Sequence, residues 1–192
     1  MKKFKGLLVL LILFVVTGCS LGNSPESKVE ALLMKYQTNS TDLKTELDDF
    51  LDSINAADDY KDEYRKVYER QYKDLKYKIK DEKIDGDKAT VTAEIEVYDY
   101  YKTEADATSY IASNPDEFND NGVYSVSKGL EYKIKAYNNT KDRVTYTIDF
   151  TLTKTDNKWT IDPLTDDELA KLHGTYAVSY THLRAHETEA DL

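Results

Sequence analysis

The spacing of apolar side chains changes along this chain from a helical period to a period of two and back. Val29, Leu32, Leu33 and Tyr36 recur at i, i+3, i+4 and i+7, one face of a helix. Ser24 and Pro25 ahead of them supply an N-cap and a proline suited to the first helical position. After a polar break at 38–41, Leu43, Leu47, Phe50, Leu51 and Ile54 repeat the stripe with acids on the opposite face. Asp58 and Asp59 then cap a third helix, on which Tyr60, Tyr64, Val67, Tyr68, Tyr72 and Leu75 share one side. From Leu75 the period falls to two: Leu75, Tyr77 and Ile79 alternate with Lys76, Lys78 and Lys80, the pattern of a half-buried strand. Asp85-Gly86 signals a hairpin turn, and Val91, Ala93, Ile95 and Val97 continue the alternation against Thr90, Thr92, Glu94 and Glu96.

Residues 103–111 read as a short helix ending before Asn114-Pro115, and 116–122 as a loop. The spacing of Leu130, Ile134 and Tyr137 predicts helix over 123–137. Residues 143–153 form a strand, with Val144, Tyr146, Ile148, Phe150 and Leu152 on one side and Thr145, Thr147, Asp149 and Thr151 on the other. Asp156-Asn157 turns it into a last strand over 158–162, which Pro163 ends. Thr165 to Glu168 cap a terminal helix that runs through His173 and stops at Gly174. The fold class is therefore α+β: N-terminal helices packed on a curved antiparallel sheet of about four strands, one face apolar and the other wet.

Composition narrows the function. The chain has 192 residues, and its 36 Asp+Glu against 26 Lys+Arg give a formal net charge of -10, which opposes a phosphate backbone and excludes general nucleic-acid binding. Sixteen tyrosines and five phenylalanines within a 40% hydrophobic composition allow a modest core and argue against wholesale disorder. Lys2, Lys3 and Lys5 precede the apolar run 7–16. A helix over 6–18 rises about 18 Å against about 30 Å of hydrocarbon, so the run fits a secretory signal and not a span.

Val16-Thr17-Gly18-Cys19, at the end of that run, resembles the lipobox of bacterial lipoproteins, in a composition that resembles Gram-positive sequences. The resemblance implies that Cys19 takes a diacylglyceryl group, with palmitate among its acyl chains, and becomes the new N-terminus after cleavage at Gly18-Cys19. The expected location is the outer, extracytoplasmic face of the cell membrane. At about 0.8 kcal/mol per buried CH₂, two or three acyl chains hold where one would not. Cleavage removes three lysines and no acid, so -10 becomes -13. Cys19 is the only cysteine, so the exported chain has no intramolecular disulfide. The organisation expected is a signal peptide at 1–18, a lipidated tether at 19–23, one α+β domain at 24–176 and a tail at 177–192. Residues 178–192 resemble a translated sequencing adapter and are read as non-native. The alternative, His182 and His186 as a metal pair, lacks the Glu that follows the first His in a zincin.

Helices first, then a hairpin carrying residues 86–92, more helix, and a long strand turning at Asp156-Asn157 into Lys158-Trp159-Thr160-Ile161-Asp162 resemble the nuclear-transport-factor-2-like or cystatin-like superfamily. The resemblance implies a cone of sheet on helices whose interior is either a cavity or a packed core. Enzymes of that superfamily place Asp, Tyr or His inside the cone. Here Asp99 and Asp149 fall in alternating strands and are expected to face solvent, while His173 is expected to interact with the carbonyls at its own helix end. No catalytic residues and no cofactor are expected. Neither Gly122 nor Gly86 gives an EF-hand register, since position twelve would be Lys128 or Thr92, and no metal is expected.

Tyrosine joins apolar area to a polar tip, which suits a core with a wet rim and also a ligand-binding groove. Tyr98, Tyr100, Tyr101 and Trp159 are the ligand-binding candidates. The function expected is a membrane-anchored, non-enzymatic binding or interaction domain whose partner is an envelope component or a protein. The alternatives are an accessory enzyme of isomerase or dehydratase type that uses the cone, and a structural or immunity-type surface protein.

Overall fold

The computed structural model describes residues 22–38, 40–53 and 57–177. The elements in chain order are α1 (Pro25–Gln37), α2 (Thr41–Ser53), a 3₁₀ turn (Asp58–Tyr60), α3 (Lys61–Lys73), β1 (Lys76–Asp85), β2 (Lys88–Tyr98), α4 (Tyr100–Ser113), α5 (Pro115–Phe118), β3 (Asn119–Asp120), β4 (Val123–Tyr124), α6 (Val126–Asn139), β5 (Arg143–Thr155), β6 (Lys158–Ile161) and α7 (Asp166–His173). The α+β class and the four-stranded antiparallel sheet are as the sequence predicts.

The sheet order is β1-β2-β5-β6. Register explains why one face is dry: Ala89, Val91, Ala93 and Ile95 stand opposite Leu152, Phe150, Ile148 and Tyr146, and all eight are buried. Their neighbours Thr145, Thr147, Asp149 and Thr151 are exposed on the other face. Both hairpin turns are tight. Asp156 and Asn157 take φ of 50° and 64°, the pair of positive values that a two-residue turn with the strands' own twist requires. In the first hairpin, Asp85 pairs with Lys88, so the turn is Gly86-Asp87, one residue later than the sequence suggests.

Helices α1, α3 and α7 cover the dry face, and α4 and α6 pack on each other and on α3. Where these helices meet the sheet the interior is packed: Val29, Leu33, Val91, Ile95, Val97, Phe150, Leu152 and Leu172 are all fully buried. Among the described residues the core runs from Val29 to Leu172, all of it retained in a chain that starts at Asn23. Capping follows the sequence closely. Ser24 and Ser27 form a capping box at α1, Thr165 and Glu168 form another at α7, and Gly174 ends α7 at φ 73°.

Three expectations are corrected. Helix α4 starts at Tyr100 and not at 103, because β2 ends at Tyr98 and Asp99 becomes the helix cap, its Oδ1 accepting the Lys102 amide at 2.8 Å. Asp99 is therefore buried, 4% exposed, and does not face solvent. The 116–122 loop holds the one-turn helix α5 and the start of the small β3–β4 hairpin, which Asn121 and Gly122 turn at positive φ, and α6 begins only at Val126.

One side chain joins three of these parts. Gln71 on α3 is fully buried. Its Nε2 donates to the carbonyls of Tyr98 and His173, both at 2.9 Å, and its Oε1 accepts the Tyr98 amide at 2.7 Å. Gly174 sits against it so closely that a Cβ there would lie 2.1 Å from Gln71 Nε2 and 2.2 Å from the Tyr98 carbonyl oxygen. Gln71→Leu keeps the volume but leaves three buried backbone groups unpaired, so it is expected to cost about 3 kcal/mol in urea unfolding. Exposed Thr151→Ala should stay within about 0.5 kcal/mol.

Candidate functional site

The four aromatic candidates do not come together. Tyr98 pairs with Arg143 at one end of β5, and Trp159 pairs with Lys154, eleven residues further along it. At about 3.3 Å per residue they stand roughly 36 Å apart. Tyr98 and Tyr100 are core residues. Their rings stack at 6.1 Å, the Tyr98 hydroxyl donates to Asp74 at 2.7 Å and the Tyr100 hydroxyl donates to the Val67 carbonyl at 3.0 Å. The Arg70 and Arg143 guanidinium carbons lie 3.7 and 4.3 Å from the Tyr98 ring centroid. Tyr101 is 43% exposed and stands apart from that cluster, and Trp159 is buried with the Lys154 ammonium 5.5 Å from its ring. Asp149 is exposed, as expected, and accepts the Thr92 hydroxyl at 2.6 Å. Val16, Thr17, Gly18 and Cys19 lie outside the described residues, as do His182 and His186. Among the described residues there is no cluster of metal-ligating side chains and no helix long and apolar enough to cross a membrane.

A groove of about 570 Å³ opens elsewhere, between α1, α2, the end of β6 and α7. Leu32 and Tyr36 line it from α1, Leu43, Leu47 and Phe50 from α2, and Ile161, Pro163, Leu164 and Leu169 from the β6–α7 side. Tyr72 and His173 also line it. This volume lies within the range of small-molecule sites, which are mostly apolar with a few convergent polar groups.

His173 corrects an expectation. Its imidazole does not turn to the carbonyls of its own helix; it is buried, with Nδ1 2.8 Å from the Tyr72 hydroxyl and its ring stacked on Phe50 at 4.1 Å. The reason is the apolar stripe of α7: His173 falls at i+4 from Leu169 and next to Leu172, on the face turned to the core. Burial alone pushes the imidazole down to about 4, so it is neutral over the physiological range. Burial also raises Tyr72 well above its ordinary value, and raises Tyr36 to about 12 with help from the Glu46 carboxylate.

Counting protons in the groove wall gives its chemical character. A neutral imidazole carries one N–H, and Tyr72 carries one O–H. One of these two donors makes the bond between them, so in either tautomer the other has no partner among the described residues. The Tyr36 hydroxyl, on a side chain 3% exposed, also makes no hydrogen bond among the described residues. Two buried donors thus line one groove unpaired, an arrangement that is costly inside a protein. The charged groups in the wall are Glu46, Asp49 and Asp162, and Lys35 pairs with Glu46 at 2.5 Å.

No family model matches the chain, and no curated protein matches it. Among solved structures, a candidate lipoprotein (ycdA) from Bacillus subtilis is similar at 18% identity and a TM-score of 0.39, over 69% of this chain and 44% of that one. The chain thus spans less than half the length of that protein.

Because the folded His173 holds its proton less tightly than the ordinary value of 6.5, the unfolded state binds more protons between about pH 6.5 and 4. Stability is constant on this account above pH 6.5 and falls as the pH is lowered through that window, by about 3 kcal/mol in all. Urea midpoints measured across the window should show a steeper fall for the wild type than for His173→Gln. Equal slopes would place the imidazole in water.

Proposed function

We propose that the chain is an extracytoplasmic lipoprotein, held to the outer face of the cell membrane by acyl groups on Cys19, whose folded part binds a ligand in the groove without converting it. The observation that carries the binding reading is the pair of unpaired buried donors in the wall of an apolar groove. The lysines, apolar run and lipobox of residues 2–19 carry the anchoring reading. The order of helices before a sheet of antiparallel hairpins supports including the nuclear-transport-factor-2-like or cystatin-like assignment in the same proposal. An isomerase or dehydratase of that kind needs an acid or base inside the cone. Here Val91, Ile95, Ile148 and Phe150 fill that space and Asp99 is used as a helix cap, which favours binding over catalysis.

The tether is held at the β5–β6 turn. Asn23 Nδ2 donates to the Asn157 carbonyl at 2.8 Å, and Asn23 Oδ1 accepts the Trp159 amide at 3.4 Å. The four residues from Cys19 to Asn23 span at most about 14 Å, so the anchor keeps the β5–β6 turn near the bilayer. Tyr36 lies some twelve residues along α1, about 18 Å from the tether.

Two measurements test this proposal. Cys19→Ala should abolish incorporation of labelled lipid in growing cells, and continued labelling would sink the anchor. Native mass spectrometry of the chain from Asn23 onward, exposed to an envelope extract, should show a reproducible small adduct that Tyr36→Phe weakens. A folded protein with no adduct would remove the groove as a binding site.

A further inference from the structure

The chemistry of the groove wall specifies an occupant. We propose that the groove binds a small cationic amphiphile, with an apolar body against Leu32, Leu47 and Phe50, an uncharged carbonyl or ether oxygen at Tyr36 and the Tyr72–His173 pair, and a positive head near Asp49. The inference rests on the binding reading above and adds the chemical class.

Each part of the occupant answers one observation. The two unpaired donors require acceptor oxygens, because a hydrocarbon filling the groove would leave both protons unpaired and buried. An uncharged acceptor suits them better than a carboxylate or phosphate. Among the described residues the charged residues lining the groove are Glu46, Asp49 and Asp162, all acidic, and an anion brought into an apolar site beside them meets repulsion that water screens poorly. Lys35 neutralises Glu46 by its ion pair at 2.5 Å, which leaves Asp49 as a carboxylate of the wall without an ion pair among the described residues. The Asp162 carboxylate is held on the wet side of the sheet by the Thr153 hydroxyl at 2.7 Å, a hydroxyl that also accepts from the Lys88 ammonium, so this carboxylate does not serve the groove.

Octanoylcholine is a suitable probe because it has an octanoyl body, an ester carbonyl and a quaternary ammonium head; octanoate has the same chain with an anionic end. Each would be titrated into the chain from Asn23 onward while the imidazole proton resonance of His173 is followed, assigned by its loss in His173→Gln. Octanoylcholine should shift that resonance saturably and bind at least ten-fold more tightly than octanoate. Tyr36→Phe should weaken it about five-fold without unfolding the protein, and Asp49→Asn should erase most of the preference over octanoate.

No saturable shift, or equal binding of the two probes, would overturn the proposal. A shift that grows with protein concentration in the absence of probe would show a second copy seated in the groove and also overturn it. If the envelope extract gives an adduct sensitive to Tyr36→Phe while octanoylcholine fails, the chemical class is wrong and the binding reading stands. If neither binds, both fall.

Discussion

The buried amide of Gln71 is the point at which the helices, the sheet and the groove are fixed to one another. Its three hydrogen bonds close the end of β2, where the chain leaves the sheet, and the end of α7, where the helix stops at Gly174. Without them Tyr98 and His173 would present unpaired backbone groups to the core, at a cost that a domain of this size cannot absorb at several sites. The bond to the His173 carbonyl also sets where α7 ends, and with it where the imidazole meets Tyr72 and Phe50. The groove therefore inherits its polar wall from a contact made on the opposite side of the same residue.

Around that point, the fold separates two uses of tyrosine. Tyr98, Tyr100 and Tyr137 spend their hydroxyls on Asp74, the Val67 carbonyl and Glu104, so they are satisfied core residues despite their polar tips. Tyr36 and Tyr72 bury their rings in the same way, edge to face at 5.1 Å, yet the Tyr36 hydroxyl and one donor of the Tyr72–His173 pair have no partner among the described residues. The energetic difference is small for each hydroxyl, about 1 to 3 kcal/mol. It is enough to distinguish a wall built for packing from one that gains by receiving a ligand.

The legible parts of the sequence were those with a local cause. The period-two alternation of Val91 to Val97 and Val144 to Leu152 gave both central strands and their buried face, and Ser24-Pro25, Thr165 and Gly174 gave helix ends to the residue. Errors arose where a local signal competed with a neighbour: Asp99 continues a strand pattern but serves as a cap, because Gln71 and the start of α4 end β2 one residue earlier. The site was not legible as a site. Tyr36, Tyr72 and His173 come from three helices, with 101 residues between the last two, and each reads singly as a core position. The one available signal was His173 itself, a titratable side chain on the apolar stripe of a terminal helix. The aromatic clustering of Tyr98, Tyr100 and Tyr101 pointed instead to the well-satisfied core.

The central claim is that the groove wall holds donors without a partner among the described residues, and the stability of Tyr36→Phe in the absence of any ligand tests it most directly. Removing a buried hydroxyl that has no partner should leave the urea midpoint unchanged or raise it, by up to about 1 kcal/mol in unfolding free energy. A loss of about 1 kcal/mol or more would show that the hydroxyl is bonded within the fold, and would contradict the account of the groove wall.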